Sequence, residues 1–407
     1  MTIKILNTLI LLWLFSISLP AQTAGCTDPL ASNYDSTAVH NDGSCVYPGA
    51  RVDAIKTWLL PAVIPETSGL ISWNQKIWTH NDDTDTNLYA LDTADINNYQ
   101  TFPLPDVINT DWEELAQDSG FIYLGDFGNN AGNREDLKIL KIEKNSLWNQ
   151  QPAIDTIAFT YEDQTDFHPK RSRNTDYDCE AMIITNDSIF LFTKEWKSKG
   201  TSLYVLPKTP GNHTAKLRDS LFVKGLITAA TKIENKNLIL LTGYQNYQPF
   251  LYLLYDYCGH DFFGGNKRKI RISSSFHQVE GITSTNGSDI IISNEKVSHM
   301  MISIDAKLQK LDISPYIANY LTSPPVTRDN PEGIRIYPNP ASHFLCIDIP
   351  AKNTGAHYSL SRISGQTVLQ GKLNHTTNSF PVDTLSAGFY ILSIGIPEYF
   401  SEKIIIK

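Results

Sequence analysis

Acidic side chains recur at set places along the middle of this 407-residue chain, each beside a short apolar run. They stand in Glu66-Thr67-Ser68-Gly69-Leu70-Ile71, Asp111-Trp112-Glu113-Glu114-Leu115-Ala116, Asp178-Cys179-Glu180-Ala181-Met182 and Glu280-Gly281-Ile282-Thr283. Thr228-Ala229-Ala230 holds the same place with a hydroxyl, and His277-Gln278 lead into Glu280. A second polar set ends the stretch that follows each run: His80-Asn81-Asp82, Asp126 with Asn129 and Asn130, Lys194-Glu195, Tyr244, and Asn294-Glu295. Carboxylates and amides in such numbers suit a divalent cation or a polar ligand. Converging carboxylates also repel one another, which raises a pKa enough to make a general acid or base. Glu114, Glu180 and Glu280 are therefore the candidate catalytic carboxylates. His80, Asp82, Asp111, Glu113, Asp126, Lys194 and Glu295 are the candidate ligand-binding groups. The same pattern fits acids that only bond backbone N–H groups of a neighbouring element and hold it in place.

Other arrangements carry less. Asp126-Phe127-Gly128 has no glycine-rich loop or catalytic loop to make it a kinase element. Asp83-Thr84-Asp85-Thr86-Asn87 begins like a calcium loop, but Leu88 and Ala94 stand where that loop needs Gly and Glu, so it reads as a polar hairpin turn. There is no Gly-x-Ser-x-Gly nucleophile elbow and no zinc-type His/Cys cluster in the sequence.

The elements that must position these residues repeat. The apolar runs align at positions 70, 115, 182, 230 and 282. Each is followed by a turn and a second β-rich segment, such as Ser188-Ile189-Phe190-Leu191-Phe192, and then a third, such as Phe250-Leu251-Tyr252-Leu253-Leu254 or Met300-Met301-Ile302-Ser303-Ile304. Short strands repeating every ~45–50 residues without amphipathic helices predict a β-propeller of four-stranded blades. Five blades are visible over residues 50–321, and the long step between 115 and 182 leaves room for a sixth. The segment from Val52 to Leu59 is expected to complete the last blade and close the ring. If the first strand of each blade lines the channel and the second runs back antiparallel, both polar sets fall on one rim.

Composition narrows the setting. A net charge of −9 argues against nucleic acid or anionic lipid as partner. Lys4, the apolar stretch Ile5–Leu19, Pro20 and the small residues that follow form a secretory signal peptide over residues 1–24. Export makes disulfides permissible among the five cysteines. Cys26 and Cys45 flank a unit over 25–48 too small for a core of its own, so a bridge between them is expected. Asp28, Asn33, Asp35, Asn41 and Asp42 in that unit offer oxygen ligands of the kind Ca²⁺ prefers. Cys179, Cys258 and Cys346 are odd in number; a Cys179–Cys258 bridge and buried free thiols both fit. A Pro-rich linker at 322–333 separates the propeller from a β-module at 334–407 that reads as a small immunoglobulin-like sandwich.

Three resemblances sharpen this. Gly25–Tyr47 resembles the thrombospondin type 3-like calcium-binding repeats of exported Bacteroidetes proteins, which implies Ca²⁺ on Asp28, Asn33, Asp35 and Asp42. The strings Trp78-Thr79-His80-Asn81-Asp82, Asp111-Trp112-Glu113-Glu114 and Gly125-Asp126-Phe127-Gly128-Asn129-Asn130 resemble exported Bacteroidetes propellers and, more distantly, esterase-like phytases and strictosidine synthase-like proteins. That likeness implies an ester or phosphoester hydrolase without fixing a catalytic residue. Tyr337-Pro338-Asn339-Pro340-Ala341, Ser364-Gly365-Gln366, Leu385-Ser386-Ala387-Gly388-Phe389-Tyr390 and the terminal Lys403-Ile404-Ile405-Ile406-Lys407 resemble the type A C-terminal sorting domain of the type IX secretion system. It implies export across the outer membrane, with the secretion machinery as partner of residues 334–407. The expectation is an all-β protein outside a Gram-negative cell, with a five- or six-bladed propeller that binds a polar ligand at its rim. The rivals are a metal-assisted phosphoesterase or esterase, and a structural adhesin.

Overall fold

The computed structural model describes residues 24–407 apart from Val39, Thr84, 169–170, 234–235, 275–277, 300–301, 323–332, Pro338, 342–343 and 396–399. The signal peptide expected at 1–24 lies outside the described residues except for Ala24. His277 and most of the linker fall outside them as well.

Among the described residues, five antiparallel four-stranded blades succeed one another along the chain, the second and third joined edge to edge in one eight-stranded sheet. Blade one is Thr67–Trp73, Lys76–Asn81, Asn87–Leu91 and Gln100–Pro103. Blade two is Trp112–Gln117, Phe121–Asp126, Lys138–Glu143 and Ile154–Tyr161. Blade three is Asp178–Ile184, Ser188–Lys194, Thr201–Pro207 and Gly211–Leu221. Blade four is Leu226–Lys232, Leu238–Gln245, Gln248–Tyr255 and Asn266–Ile272. Blade five takes Val279–Thr283, Asp289–Asn294 and Lys307–Asp312 from the end of the propeller, and its outermost strand, Ala54–Leu59, from the beginning. The adjoining Ala50–Val52 adds a fifth, parallel strand to blade four. The first strands pack side by side in a ring that returns from blade five to blade one, so the propeller has five blades.

Among the described residues, the long step between blades two and three holds no extra blade. It holds the short helix Lys144–Trp148, a long outer strand and a loop. That outer strand pairs in parallel with the outer strand of blade three, Ile157 opposite Gly211 through Tyr161 opposite Ala215. Blade five also differs from expectation. Ile302–Ile304 pairs with Val297–His299 as a separate hairpin, and Lys307–Asp312 is the third strand. The helix Ser314–Thr322, with Ile317 buried, was not foreseen.

Burial explains the sequence pattern. Asp178–Ile184 is buried at every position because blades cover both its faces. Outer strands such as Asn266–Ile272 alternate, since successive side chains point to opposite faces and one of those faces is less covered. Trp78, Trp112, Tyr123, Phe192 and Phe250 fill the gaps between blades.

The N-terminal unit is closed by the expected Cys26–Cys45 disulfide. It sits against blade four, where Tyr255 and Tyr47 both donate to Asp28 Oδ2 and Asn41 donates to Asp256 Oδ2 at 2.9 Å. The tail is a sandwich of a three-stranded sheet (Arg335–Tyr337, Phe344–Asp348, Thr377–Pro381) and a four-stranded one ending in Phe400–Ile406. Asn339 locks that final strand: its Nδ2 donates to Lys403 O at 2.8 Å, and Ile405 N–H donates to its Oδ1 at 2.9 Å. A Cys179–Cys258 bridge does not form. Cys179 is a buried free thiol inside blade three, whereas Cys258 lies beyond the third strand of blade four and bridges Cys346 of the tail.

Candidate functional site

Strand pairing puts both polar sets at one end of the channel, as the repeat predicts. Thr67 pairs with Asn81, Trp112 with Asp126, Asp178 with Lys194, Leu226 with Tyr244 and Val279 with Asn294. The sequence did not announce a second device. In every blade the first strand slips register near this end, leaving Glu113, Glu180, Thr228 and Glu280 without an opposite residue. Such bulges re-aim a side chain out of the pleat. In blade one the slip falls at Gly69, which has φ +56°; a Cβ there would sit 2.5 Å from Leu115 N. Glu113, not Glu114, is thus the equivalent of Glu180 and Glu280.

Glu114 is the next residue along and does something else. It is buried, and its carboxylate accepts from Ala230 N–H at 2.7 Å and Leu115 N–H at 2.9 Å. The Met182 and Leu70 N–H groups donate to it as well. One carboxylate therefore ties together the inner strands of blades one to four. Burial raises its pKa and these four donors oppose the rise.

The mouth above it divides into two halves. Blade one supplies Glu66, Asp82 and Asp83, with ligand oxygens all within 4.8 Å of one another, and blade five adds Glu280 and Glu295. Asn81 holds the cluster: its Oδ1 accepts from Glu66 N–H at 3.1 Å, and its Nδ2 donates to Asp85 Oδ2 at 2.6 Å. Asp82 N–H donates to Glu66 O, and Asp82 O accepts from Trp112 N–H. Asp82 Oδ1 and Glu280 Oε2 are buried without a protein partner, while Gln278 Nε2 donates to Glu295. Burial, then Glu295, Glu66, Asp83 and Glu280, push Asp82 up to about 8. Its hydrogen bond with Asp83, then burial, lift Glu66 to about 7. Glu280 is pushed to about 8 by burial, with Lys194 opposing and Glu295 adding to the rise.

Blades two and three supply the other half. Lys194 donates to Glu180 at 2.8 Å and lies 4.9 Å from the centre of the Trp196 ring. Burial works against the Lys194 charge, but Glu180, Glu280 and Asp178 outweigh it and hold its pKa well above the usual range. Asp178 accepts from Asn129 N–H and from Trp196 Nε1. Burial and Asp178 raise Asp111 to about 6. Burial and Glu180 raise Glu113 well above its usual range. Gly128 makes room for this pair, since a Cβ there would meet Glu113 Oε1 at 2.3 Å and Asp111 Oδ2 at 2.4 Å.

Two candidates are turned away from the mouth. Asp126 is fully buried between Arg134 and Lys138, each at 2.8 Å. His80 is fully buried with its ring edge-on to Trp112, and burial lowers its pKa to about 4. Asp83 and Gln278 stand with the site residues; the aborted calcium-loop pattern around Asp83 was the available signal. In the N-terminal unit the four expected ligands each cap a turn or bond a neighbour. Asp28 accepts from Leu30 N–H, Asn33 from Val46 N–H, Asp35 from Thr37 and Asp42 from Ser44 N–H. The opposite end of the channel opens into a cavity of about 230 Å³ lined by residues such as Ser72, Gln117, Thr231 and Ser284.

Residues 335–407 match the family described as secretion system C-terminal sorting domain. The tail is a type IX sorting domain, and the protein is secreted or placed on the outer cell surface of a Bacteroidetes bacterium. Among the described residues no helix is long and apolar enough to cross a membrane. No curated protein matches the chain. Solved structures similar to it include PorZ of Porphyromonas gingivalis, a surface component of the type IX secretion system, at 11% identity and TM-score 0.29. That match covers 84% of this chain but only 45% of PorZ. An exo-β-1,3-galactanase from Phanerochaete chrysosporium matches at 10% identity and TM-score 0.41, covering 86% of this chain and all of the other. An aldose sugar dehydrogenase from Streptomyces coelicolor matches at 8% identity and TM-score 0.39, covering 63% and 98%.

Proposed function

We propose that the propeller is the working part of this exported protein and that its acidic mouth binds a polar extracellular ligand rich in cationic or hydrogen-donating groups. One observation carries the reading. Asp82 Oδ1 and Glu280 Oε2 are buried acceptors with no protein donor, in a mouth where carboxylates from four blades converge. Buried polar atoms are ordinarily paired, so these carboxyl oxygens take their partners from whatever binds there. Lys194 and Trp196 add one fixed charge and one aromatic face. A metal-assisted esterase or phosphoesterase draws less support, because Glu114 is occupied by backbone N–H groups and Glu180 by Lys194. Calorimetric titration of the exported chain with amine-bearing, polyhydroxyl and polyanionic ligands tests the proposal. Binding of the first two classes, weakened at least tenfold by Glu280→Gln, is expected. Preference for polyanions, or indifference to Glu280→Gln, would overturn it.

A further inference from the structure

We propose that the mouth holds one hard divalent cation of the Ca²⁺ type on Glu66, Asp82 and Asp83, with open coordination positions toward Glu280 and Glu295. The inference rests on the mouth being the binding site and names the first component bound there.

Three ligand oxygens already lie within 4.8 Å of one another, so an ion at their centre would touch all three with little movement of the chain. Calcium–oxygen distances of about 2.3–2.6 Å fit inside such a triangle. The donor set is carboxylate only, which favours Ca²⁺, Mg²⁺ or Mn²⁺ over Zn²⁺ or Cu²⁺. Carboxylates at the ends of strands and on the loop after them suit the loose geometry of Ca²⁺ better than the strict octahedron of Mg²⁺.

The second observation is independent of the triangle. Glu280 is 93% buried, comes from a bulge in a different blade, and leaves Oε2 without a partner. It is near enough to act on the charge of Asp82. Asp82 adds its own buried and unpaired Oδ1. The surroundings are also built to hold the ligands still. Asn81 fixes Glu66 and is itself fixed by Asp85, which also accepts from Tyr89 OH at 2.9 Å. Supporting bonds of this kind orient metal-binding groups. A cation seated here would present its free positions to the channel, where the hydroxyl oxygens of a polyol could complete the shell.

The test is calorimetry with Ca²⁺ alone on the chelator-treated full exported chain. One site of affinity on the order of 10⁻⁴ M, as in extracellular calcium modules, is expected. Asp83→Asn changes an exposed residue outside the core, so it keeps the fold and should weaken the site at least tenfold; Glu66→Gln should do the same. A combined Asp28→Asn, Asp35→Asn, Asp42→Asn variant should leave it unchanged. Absence of Ca²⁺ binding, or binding lost only in the N-terminal variant, overturns the inference. If Ca²⁺ does not bind while amine-bearing ligands still do, the cation falls and the ligand-binding mouth stands. If neither binds, both fall.

Discussion

Asp82 shows what a single residue can decide in this protein. Its carboxyl, like those of Glu66 and Glu280, keeps its proton near neutral pH, so between about pH 4 and 8 the folded chain binds more protons than the unfolded one. Stability contributed by these acids therefore falls as pH rises through that window. His80 acts in the opposite sense: its lowered pKa makes the fold lose stability as pH falls from about 6.5 toward 4. The window for this is pH 6.5–8, above the range of His80 and below the point where Lys269, pushed down to about 8 by burial, acts in the opposite sense; there the melting temperature of chelated protein should drop with rising pH. Asp82→Asn should flatten the slope, and a Ca²⁺-dependent rise in melting temperature should be largest at the alkaline end. Glu114 invites a different measurement. Glu114→Ala strands backbone N–H groups on four inner strands, and each unsatisfied buried donor costs about 1–3 kcal/mol. A loss of at least 3 kcal/mol in denaturant unfolding is expected. Glu114→Gln, which keeps one acceptor, should lose less. The sequence showed the acids but not which of two adjacent glutamates faced the mouth, because a one-residue bulge reverses that choice and has no signature in composition.

At the scale of elements, the propeller depends on strands far apart in the chain. Ala54–Leu59 completes blade five, pairing Leu59 with Lys307 through Ala54 with Leu311. A chain starting at residue 60 would expose the edge of Lys307–Asp312 and lose the last sheet's outer strand, so it should be recovered as aggregate or melt well below the intact protein. The closing strand, the blade positions and the rim were legible because hydrophobic runs and turn residues repeat at near-constant spacing. The third strand of blade five was misplaced, since the hydrophobic run around Ile302 belongs to a hairpin of its own. In the tail, Asn339 is the residue that bonds the terminal strand to the rest of the sandwich. Asn339→Ala removes two hydrogen bonds and should lower the stability of the tail by about 1–2 kcal/mol, read by hydrogen exchange of Lys403–Ile406 amides.

The molecule as a whole is a propeller with two small units against it, the N-terminal one on blade four and the tail joined after the third strand of blade four and facing blade three as well. The sorting tail was the most readable part, because several short motifs stand in order over its length. Removal of Ile404–Lys407 takes away half of the terminal strand and its buried Ile404 and Ile406, so the truncated protein should accumulate in the periplasm while wild type reaches the medium or surface. The pairing of Cys258 with Cys346 could not be read from spacing, since it joins units separated by a linker and by 88 residues of sequence. It has a topological consequence. Residues 258–346 form a covalent ring, and the Pro-rich stretch 323–332 is one arc of it. A single protease cut in that arc opens the ring without parting the molecule: propeller and tail leave as one two-chain species, seen as one band on a non-reducing gel and two after thiol treatment. Shedding the tail thus takes two chemical events in different currencies, a hydrolysis and a reduction, and in an oxidising exterior the second sets how long the address stays on the parcel.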